Sequence, residues 1–380
     1  MSVTSAESIA SDGTGKQLRV LAFEAWDGGS HRAVRESIQR HASMDWHWLT
    51  LPPANWRWRL RLGATDLAAQ AAEPDVVGAA WDAVFATSLV SLAELVALLP
   101  PQLAGMPRIL YMHENQVAYP AAPGRGDERD AHAIATNITS MLAADRILWN
   151  SQWNLDSFIG GSSEMLRAAK GAVARDVLAD ILDCSEVLWP PVEVPTADDA
   201  RVLHKASKAK ERGLTLVVWP HRWEHDKGPD ELLAIEQEQG EADRLGWILL
   251  GQQFDHRPAA LEQLLESAGD RVVHAGHATR SEYESWLRAA DWVLATASHE
   301  FFGIAVCEAL LAGCLPWLPE RLSYPELVPA GCIGRSPRNP IADQAAMRTA
   351  IRTHLQAATA AEAVQRLESA ICDTVPPLCR

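Results

Sequence analysis

Short apolar, β-prone runs that alternate with helical segments, twice over along 380 residues, predict an α/β protein of two doubly wound domains, each a parallel sheet covered by helices. Three observations carry the prediction. The alternation starts at Leu18; it is interrupted from Pro190 to Gly213 by Pro190-Pro191, Pro195 and a polar Lys/Arg-rich stretch; and it starts again at Leu214. The length suits two domains of ordinary size, each with its own core.

In the first half the strands are expected at Leu18–Phe23, Trp46–Thr50, Ala83–Thr87, Arg108–Met112, Arg146–Trp149 and Val187–Trp189, with helices between them. In the second half they are expected at Leu214–Trp219, Gly246–Leu250, Arg271–Ala275, Trp292–Ala295 and Leu315–Leu318. Helices there fit Asp230–Ala242, Ala259–Ala268, Ser281–Ala290 and Gly303–Ala312. The division that follows has a disordered start over residues 1–17, a first domain over 18–190, a linker over 191–213, a second domain over 214–345 and a helical segment over 346–380. No internal repeat of solenoid period is present.

Composition narrows the function. With 48% hydrophobic and 22% charged residues the chain is globular, and its net charge of -15 opposes non-specific binding to nucleic acid or anionic membrane while leaving room for a local basic patch. The six cysteines include no C-x-x-C pair, which suits reduced thiols and implies no structural zinc. No segment resembles a secretory leader or reaches the length of a membrane span, so a cytoplasmic protein is expected, with no membrane partner and no evident protein partner.

Ligands of doubly wound sheets bind at the carboxyl ends of strands, and four loops there are polar, three of them glycine-bearing. In His299-Glu-Phe-Phe-Gly-Ile-Ala-Val-Cys-Glu308, a helix opening after a strand leaves free N–H groups over Glu300–Ile304, a ready anion site. Gly303 lets the backbone approach a diphosphate, and Glu308 suits a ribose hydroxyl. The plain alternative is a helix that opens with acidic residues to suit its dipole. In Pro220–Gly228 (PHRWEHDKG), Arg222 and Lys227 are the cations that a leaving nucleotide diphosphate needs, set against the alternative of a solvated loop; their place on the same sheet as Glu300 and Glu308 favours the diphosphate. His221 and His225 lack the H-E-x-x-H pattern, so no metal is expected there.

Gly28-Gly29, followed by Ser30 and His31, either cradles phosphate or sugar or makes a tight turn, and it lacks the G-x-G-x-x-G fingerprint of a dinucleotide site. His113-Glu114-Asn115-Gln116 places four hydrogen-bonding side chains at a strand end, costly to bury without a ligand and suited to orienting a sugar hydroxyl. The segment Asn55–Arg61 (NWRWRLR) carries Trp56, Arg57, Trp58, Arg59 and Arg61: it either stacks on bases and contacts phosphates, or packs its tryptophans in the core with the arginines solvated. No G-x-S-x-G or Walker lysine is present.

The pairing of PHRWEHDKG with HEFFGIAVCEA resembles the donor half of retaining GT-B glycosyltransferases of family 4, which carry an E-x7-E signature. Closer still, EAWDGGSH (Glu24–His31), PANWRWRLR (Pro53–Arg61), LYMHENQVAYP (Leu110–Pro120), WPHRWEHDKGP (Trp219–Pro229) and HEFFGIAVCEA (His299–Ala309) resemble, in the same order, the tRNA-queuosine α-mannosyltransferase family. The resemblance implies two Rossmann-like domains facing across a cleft and transfer of mannose, with retention, from GDP-mannose to the cyclopentenediol of queuosine in tRNA. It implies that Arg222 and Lys227 hold the diphosphate, Glu308 the ribose, and Glu300 with the Phe301, Phe302, Gly303 and Ile304 backbone the sugar and phosphate. Gly28, Gly29 and His113 complete the site, and Ser30, His31, Glu114, Asn115, Gln116 and the NWRWRLR side chains meet the acceptor. His113, Glu300, Arg222 and Lys227 take the catalytic roles; Glu114 is either a nucleophile or an orienting group. With no D-x-D motif, protein cations replace a divalent ion, and no cofactor is expected. Asp27 departs from the aromatic residue common before Gly-Gly, and the acidity is unusual for a tRNA enzyme. Two rival readings are another nucleotide sugar used on a small-molecule, lipid or polysaccharide acceptor, and a catalytically silent RNA-binding module.

Overall fold

The computed structural model describes residues 17–119, 131–168, 176–252 and 258–376. Residues 1–16 of the expected disordered start, Pro120 and Cys379 lie outside these. The chain divides into two compact units, one of Met1–Pro191 with Ala360–Arg380 and one of Val192–Thr359.

The first unit holds strands β1 (Arg19–Glu24), β2 (Asp45–Thr50), β3 (Ala83–Thr87), β4 (Arg108–Met112), β5 (Arg146–Trp149) and β6 (Ser185–Val187). Its helices are α1 (Gly29–His41), α2 (Trp56–Ala71), α3 (Pro74–Val77), α4 (Leu92–Leu98), α5 (Pro101–Ala104), α6 (Ala131–Leu142), α7 (Gln152–Ala168) and α8 (Val177–Asp183). The sheet runs β2-β1-β3-β4-β5-β6, with every pairing parallel. Strands covered on both faces read as unbroken apolar runs, and β3 (AVFAT) is buried at every position. Leu21, Phe23, Val84, Leu110 and Trp149 from the strands meet Leu67, Leu95, Ile134 and Phe158 from the helices in one core. Strand order reverses direction between β1 and β3, which sets the switch point where such sheets bind ligands.

The second unit holds α9 (Ala200–Glu211), β7 (Thr215–Pro220), α10 (Pro229–Ile235), β8 (Leu245–Leu250), α11 (Ala259–Ala268), β9 (Val272–Gly276), α12 (Arg280–Ala289), β10 (Trp292–Leu294), α13 (Ile304–Ala312), β11 (Leu315–Trp317) and α14 (Gln344–His354). Its parallel sheet runs β11-β10-β7-β8-β9, so its switch point lies between β7 and β10.

Three segments differ from expectation. The expected linker contains α9, capped by Asp199 accepting from Arg201 N at 2.9 Å and Val202 N at 3.2 Å, with Val202, Ala206 and Ala209 buried. Its Lys/Arg residues form the solvated side of that helix. The expected 346–380 segment is divided, because α15 (Ala360–Thr374) belongs to the first unit. There the buried Glu368 carboxylate accepts from Ser43 N at 2.9 Å and Met44 N at 2.7 Å, fastening α15 to the turn that follows α1. The expected helix Asp230–Ala242 leaves α-helical geometry after Ile235 in a π turn, Glu236–Gly240. Glu236 points inward there and accepts from Trp247 Nε1 at 2.6 Å and Arg271 Nη1 at 3.0 Å. Among the described residues no helix is long and apolar enough to cross a membrane, and no two cysteines are joined in a disulfide.

Candidate functional site

At the second unit's switch point, the loop after β7 is laced to the segment after β10. Trp219 Nε1 donates to Thr296 Oγ1 at 2.9 Å, that hydroxyl donates to Lys227 O at 2.8 Å, and Ser298 N donates to Asp226 O at 2.9 Å. Gly228 has φ +69° and lies so close to Thr296 that an added Cβ would fall 2.1 Å from its carbonyl oxygen. This lacing puts Lys227 and Glu300, 73 positions apart, within 3.3 Å of each other. Lys227 Nζ also donates to His299 O at 3.0 Å and lies 3.1 Å from Asp226 Oδ2.

Burial works against the charge on Lys227, but Glu300 and Asp226 outweigh it and raise its pKa. Burial likewise opposes the Glu300 carboxylate, and Lys227 prevails and holds its pKa below the usual range. Burial, with Lys227 adding to it, depresses His221 to about 3 and His299 to about 4. His221 Nε2 and the Tyr324 hydroxyl are buried without a hydrogen-bond partner among the described residues, and Glu300 and Tyr324 both flank Gly303. Both atoms are able to meet a donor or acceptor on a bound ligand. Among the described residues the Arg222 side chain pairs only with Glu224, at 3.0 Å and half exposed, and so stays available.

Helix α13 begins after Gly303, at φ +93°, and its first ladder bond is from Cys307 N to Gly303 O at 2.9 Å. The N–H groups ahead of Cys307 are the expected anion-binding donors. Phe301 and Phe302 are buried, so they offer backbone alone. Glu308 is buried on α13, with Arg280 Nη1 2.8 Å from Oε1 and the Tyr283 hydroxyl 2.8 Å from Oε2. Burial pushes its carboxyl pKa up, more than Arg280 pulls it down. Arg280 and Tyr283 were not among the expected site residues. Their signal in the sequence is the Thr279-x-x-Glu282 capping box, which starts α12 at the carboxyl end of β9.

At the first unit's switch point, Glu24 ends β1 fully buried. Its Oε1 accepts from Trp26 N at 2.7 Å and its Oε2 lies 3.0 Å from His31 Nδ1. The His31 ring lies against that of His113, with centroids 4.1 Å apart and planes inclined by 32°. Glu24, His31 and His113 bring three metal-competent atoms within 4.8 Å of one another. The expectation of no metal rested on local spacing, which cannot show a group assembled from three segments. Gly28 is extended and needed for space, since a Cβ would fall 2.6 Å from Pro53 Cβ; Gly29, at φ +53°, and Ser30 are exposed at the start of α1. Asp27 is occupied by Arg35 Nε at 2.8 Å.

Asn115, expected among the acceptor contacts, is instead structural. Its Nδ2 donates to Asn154 Oδ1 at 2.8 Å and Ser157 Oγ at 3.0 Å, while its Oδ1 accepts from Val117 N and Ala118 N at 3.0 and 2.8 Å. Gln116 donates from its backbone to Asn137 Oδ1 at 3.0 Å and from Nε2 to Glu114 Oε1 at 3.1 Å, so Glu114 is braced by its neighbour.

The NWRWRLR segment is the start of α2, which places Trp56 and Trp58 about 200° apart around the helix. Neither is core. Trp56 packs on Tyr119 at 5.8 Å with Arg57 over its ring at 4.5 Å, whereas Trp58 is 65% exposed and Leu62, one turn on, 50%. Arg59 is turned back onto Pro52 O at 3.2 Å, and Arg57 and Arg61 lie one turn apart on the exposed side.

These buried histidines set the response to acid. Below the unfolded value of 6.5 the unfolded chain takes up protons that His221 and His299 refuse until about 3 and about 4. Their stabilising contribution is therefore full above 6.5 and lost progressively as pH falls towards those values. His31 has the opposite sign: its raised pKa contributes below 6.5 and fades as pH rises through the folded value. His113, depressed mainly by burial, sides with His221 and His299. The thermal midpoint is expected to fall between about pH 6.5 and about pH 4.5, as calorimetry would show; a midpoint that rises on acidification contradicts this balance.

Residues 19–192 match the family described as tRNA-queuosine alpha-mannosyltransferase N-terminal. The chain is 34% identical over 317 residues to the tRNA-queuosine alpha-mannosyltransferase of Drosophila melanogaster, covering 82% of this chain and 81% of that one. A shorter match, 28% identical over 102 residues and covering 26% of this chain and 27% of the relative, is to GDP-mannose:cellobiosyl-diphosphopolyprenol alpha-mannosyltransferase of Xanthomonas oryzae. Among solved structures, Anabaena HepE in complex with UDP and glucose superposes with a TM-score of 0.56 at 16% identity, over 95% of this chain and 97% of that one. Sucrose-phosphate synthase from Thermosynechococcus elongatus gives 0.58 at 14% identity, over 94% and 95%. At such identities the structures speak for the fold alone, and that fold is GT-B. With the relative from Drosophila aligned over most of both chains, the protein belongs to the tRNA-queuosine alpha-mannosyltransferase family.

Proposed function

We propose that this protein is a retaining glycosyltransferase that moves mannose from GDP-mannose to the cyclopentenediol of queuosine in a tRNA anticodon. The observation that carries the reading is the Lys227–Glu300 pair, built from two loops at the second unit's switch point, with Arg222 open beside it. In this reading Arg222, Lys227 and the first N–H groups of α13 offset the charge that grows on the diphosphate as the bond to the sugar breaks. Glu308, steadied by Arg280 and Tyr283, accepts from the ribose, and Glu300 orients the sugar. Retention follows if the departing phosphate takes the proton of the attacking hydroxyl on the face it leaves, so that no protein nucleophile is consumed. The two relatives named as mannosyltransferases support the donor sugar, and the Xanthomonas relative's name supports GDP as its carrier. Protein cations stand in for a divalent ion in this scheme. A cytoplasmic location suits cysteines that form no disulfide among the described residues.

The test is incubation with GDP-mannose and queuosine-bearing tRNA, followed by digestion to nucleosides and mass spectrometry. A hexose increment on queuosine is expected; its absence, with protein that binds GDP, defeats the proposal. Exposed Trp58, beside Arg57 and Arg61, fits a tRNA contact in a chain whose overall charge opposes one. Trp58→Ala is expected to weaken tRNA binding about tenfold, within the range for one stacked base, and to leave GDP-mannose binding unchanged. Equal tRNA affinity in filter binding, for Trp58→Ala and for Arg57→Ala/Arg61→Ala with an unchanged salt slope, points instead to a different acceptor.

A further inference from the structure

We propose that Glu24 is a positioning residue: acting through His31, it fixes the ring of His113 as a neutral imidazole that both donates and accepts a hydrogen bond. The inference rests on the proposed function only in taking a sugar or acceptor hydroxyl as the partner of His113.

A fully buried carboxylate is costly unless it is paired and hydrogen-bonded. Glu24 meets both needs locally, through Trp26 N on Oε1 and His31 Nδ1 on Oε2. His31 is its only charge-bearing partner among the described residues, and although burial opposes it, that carboxylate raises the His31 pKa. The groups that face His31 are Glu24, Asp27 and Glu114, all carboxylates, and the ring of His113. His113 in turn meets His31 at 4.1 Å and the edge of Tyr111 at 4.8 Å, and the Glu24 carboxylate, whose oxygen lies within 4.8 Å of its ring nitrogen, is already taken up by Trp26 N and His31. A cationic ring over a neutral ring is attractive, whereas two cationic rings at that distance repel. Burial and the charge on His31 both depress the pKa of His113.

The backbone of His113 is pinned, since Asn150 Nδ2 donates to its carbonyl at 2.7 Å. Neither ring nitrogen has a hydrogen-bond partner among the described residues, although the side chain is nearly buried. A neutral imidazole offers one N–H and one lone pair, which matches a hydroxyl that must be held from both sides; an imidazolium could only donate. A shared metal ion is the rival use of the same three side chains. Its ligand atoms lie within 4.8 Å of one another, and added Zn2+ in the test below separates the two uses.

The test is a pH titration of imidazole resonances in the full-length, histidine-labelled protein without substrates, with assignments from His31→Gln and His113→Gln. His31 is expected to titrate above the usual histidine value and His113 far below it. In Glu24→Gln the His31 midpoint falls below the usual value, and in His31→Gln the His113 midpoint moves up. In the transfer assay, Glu24→Gln lowers kcat at least about tenfold with the KM for GDP-mannose unchanged, and Glu24→Asp restores part of it. An unshifted His31 in wild type, titrations indifferent to Glu24→Gln, or stoichiometric binding of added Zn2+ that is lost in Glu24→Gln would each overturn the proposal. Because the titration needs no substrate, correct midpoints in a protein without transfer activity support the pair and count against the proposed function.

Discussion

Lys227→Ala is expected to lower sugar transfer by about 10²–10³-fold, mostly in kcat. The size follows from where the ammonium sits. It is almost wholly buried, gripped by His299 O, Asp226 and Glu300, and its charge is sustained by those two carboxylates against burial. In such a place an approaching negative charge is screened little by water, and the attraction grows as the bond to the sugar breaks, which is an effect on the transition state. Removing the ammonium also leaves Glu300 and Asp226 facing each other unpaired, at a stability cost of about 3 kcal/mol. Arginine should rescue poorly, because a planar fork does not fit a socket built around three donors converging from one nitrogen. Arg222→Ala, half exposed, is expected to cost about tenfold. Steady-state kinetics with calorimetry on the same preparations decide the matter: kcat within tenfold of wild type in folded Lys227→Ala would remove this residue from the chemistry.

Gly228→Ala is expected to destabilise the second unit by on the order of 3 kcal/mol, roughly 10 °C in its thermal midpoint. The backbone there is left-handed, and an added methyl would fall 2.1 Å from the Thr296 carbonyl oxygen, which is itself held in the lacing of the two loops. Relief needs the β7 and β10 loops to part, so Lys227 would leave Glu300 and activity would fall with stability. Gly160→Ala is the informative control. That glycine lies within α7 with open space around it, and alanine there should stabilise by about 1 kcal/mol. A Gly228→Ala protein as stable as wild type would show that the two loops are not in contact.

Much of the fold was legible because its strands are buried on both faces. Ala83–Thr87, Arg108–Met112 and Arg146–Trp149 form over their expected bounds, since an unbroken apolar run has one way to be covered. Helix α9 was obscured by its basic solvated side, and the docking of α15 depends on Glu368 meeting residues 325 positions earlier, which no local pattern records. The candidate site divides in the same way. Arg222, Lys227, Glu300 and Glu308 stand out because each lies at a strand end in a polar run. Glu24 reads in the sequence as no more than the end of a strand, because its partners His31 and His113 lie on other elements. Arg280 and Tyr283 look like ordinary helix surface until α12 is set beside α13. Asn115 misled for the converse reason: a polar cluster at a strand end also arises when an asparagine closes a turn upon itself.

The return of α15 to the first unit has a consequence for how the molecule is made. The second unit is an uninterrupted stretch, Val192–Thr359, set within a first unit whose last helix is translated after it. On the ribosome the second unit is complete before α15 is made, and Glu368 reaches the waiting N–H groups of Ser43 and Met44 only after all of Val192–Thr359 has been translated. A premature stop shortly after Thr359 would therefore spare the unit that carries Lys227 and Glu300 and leave unfinished the one that carries Glu24, His31 and His113.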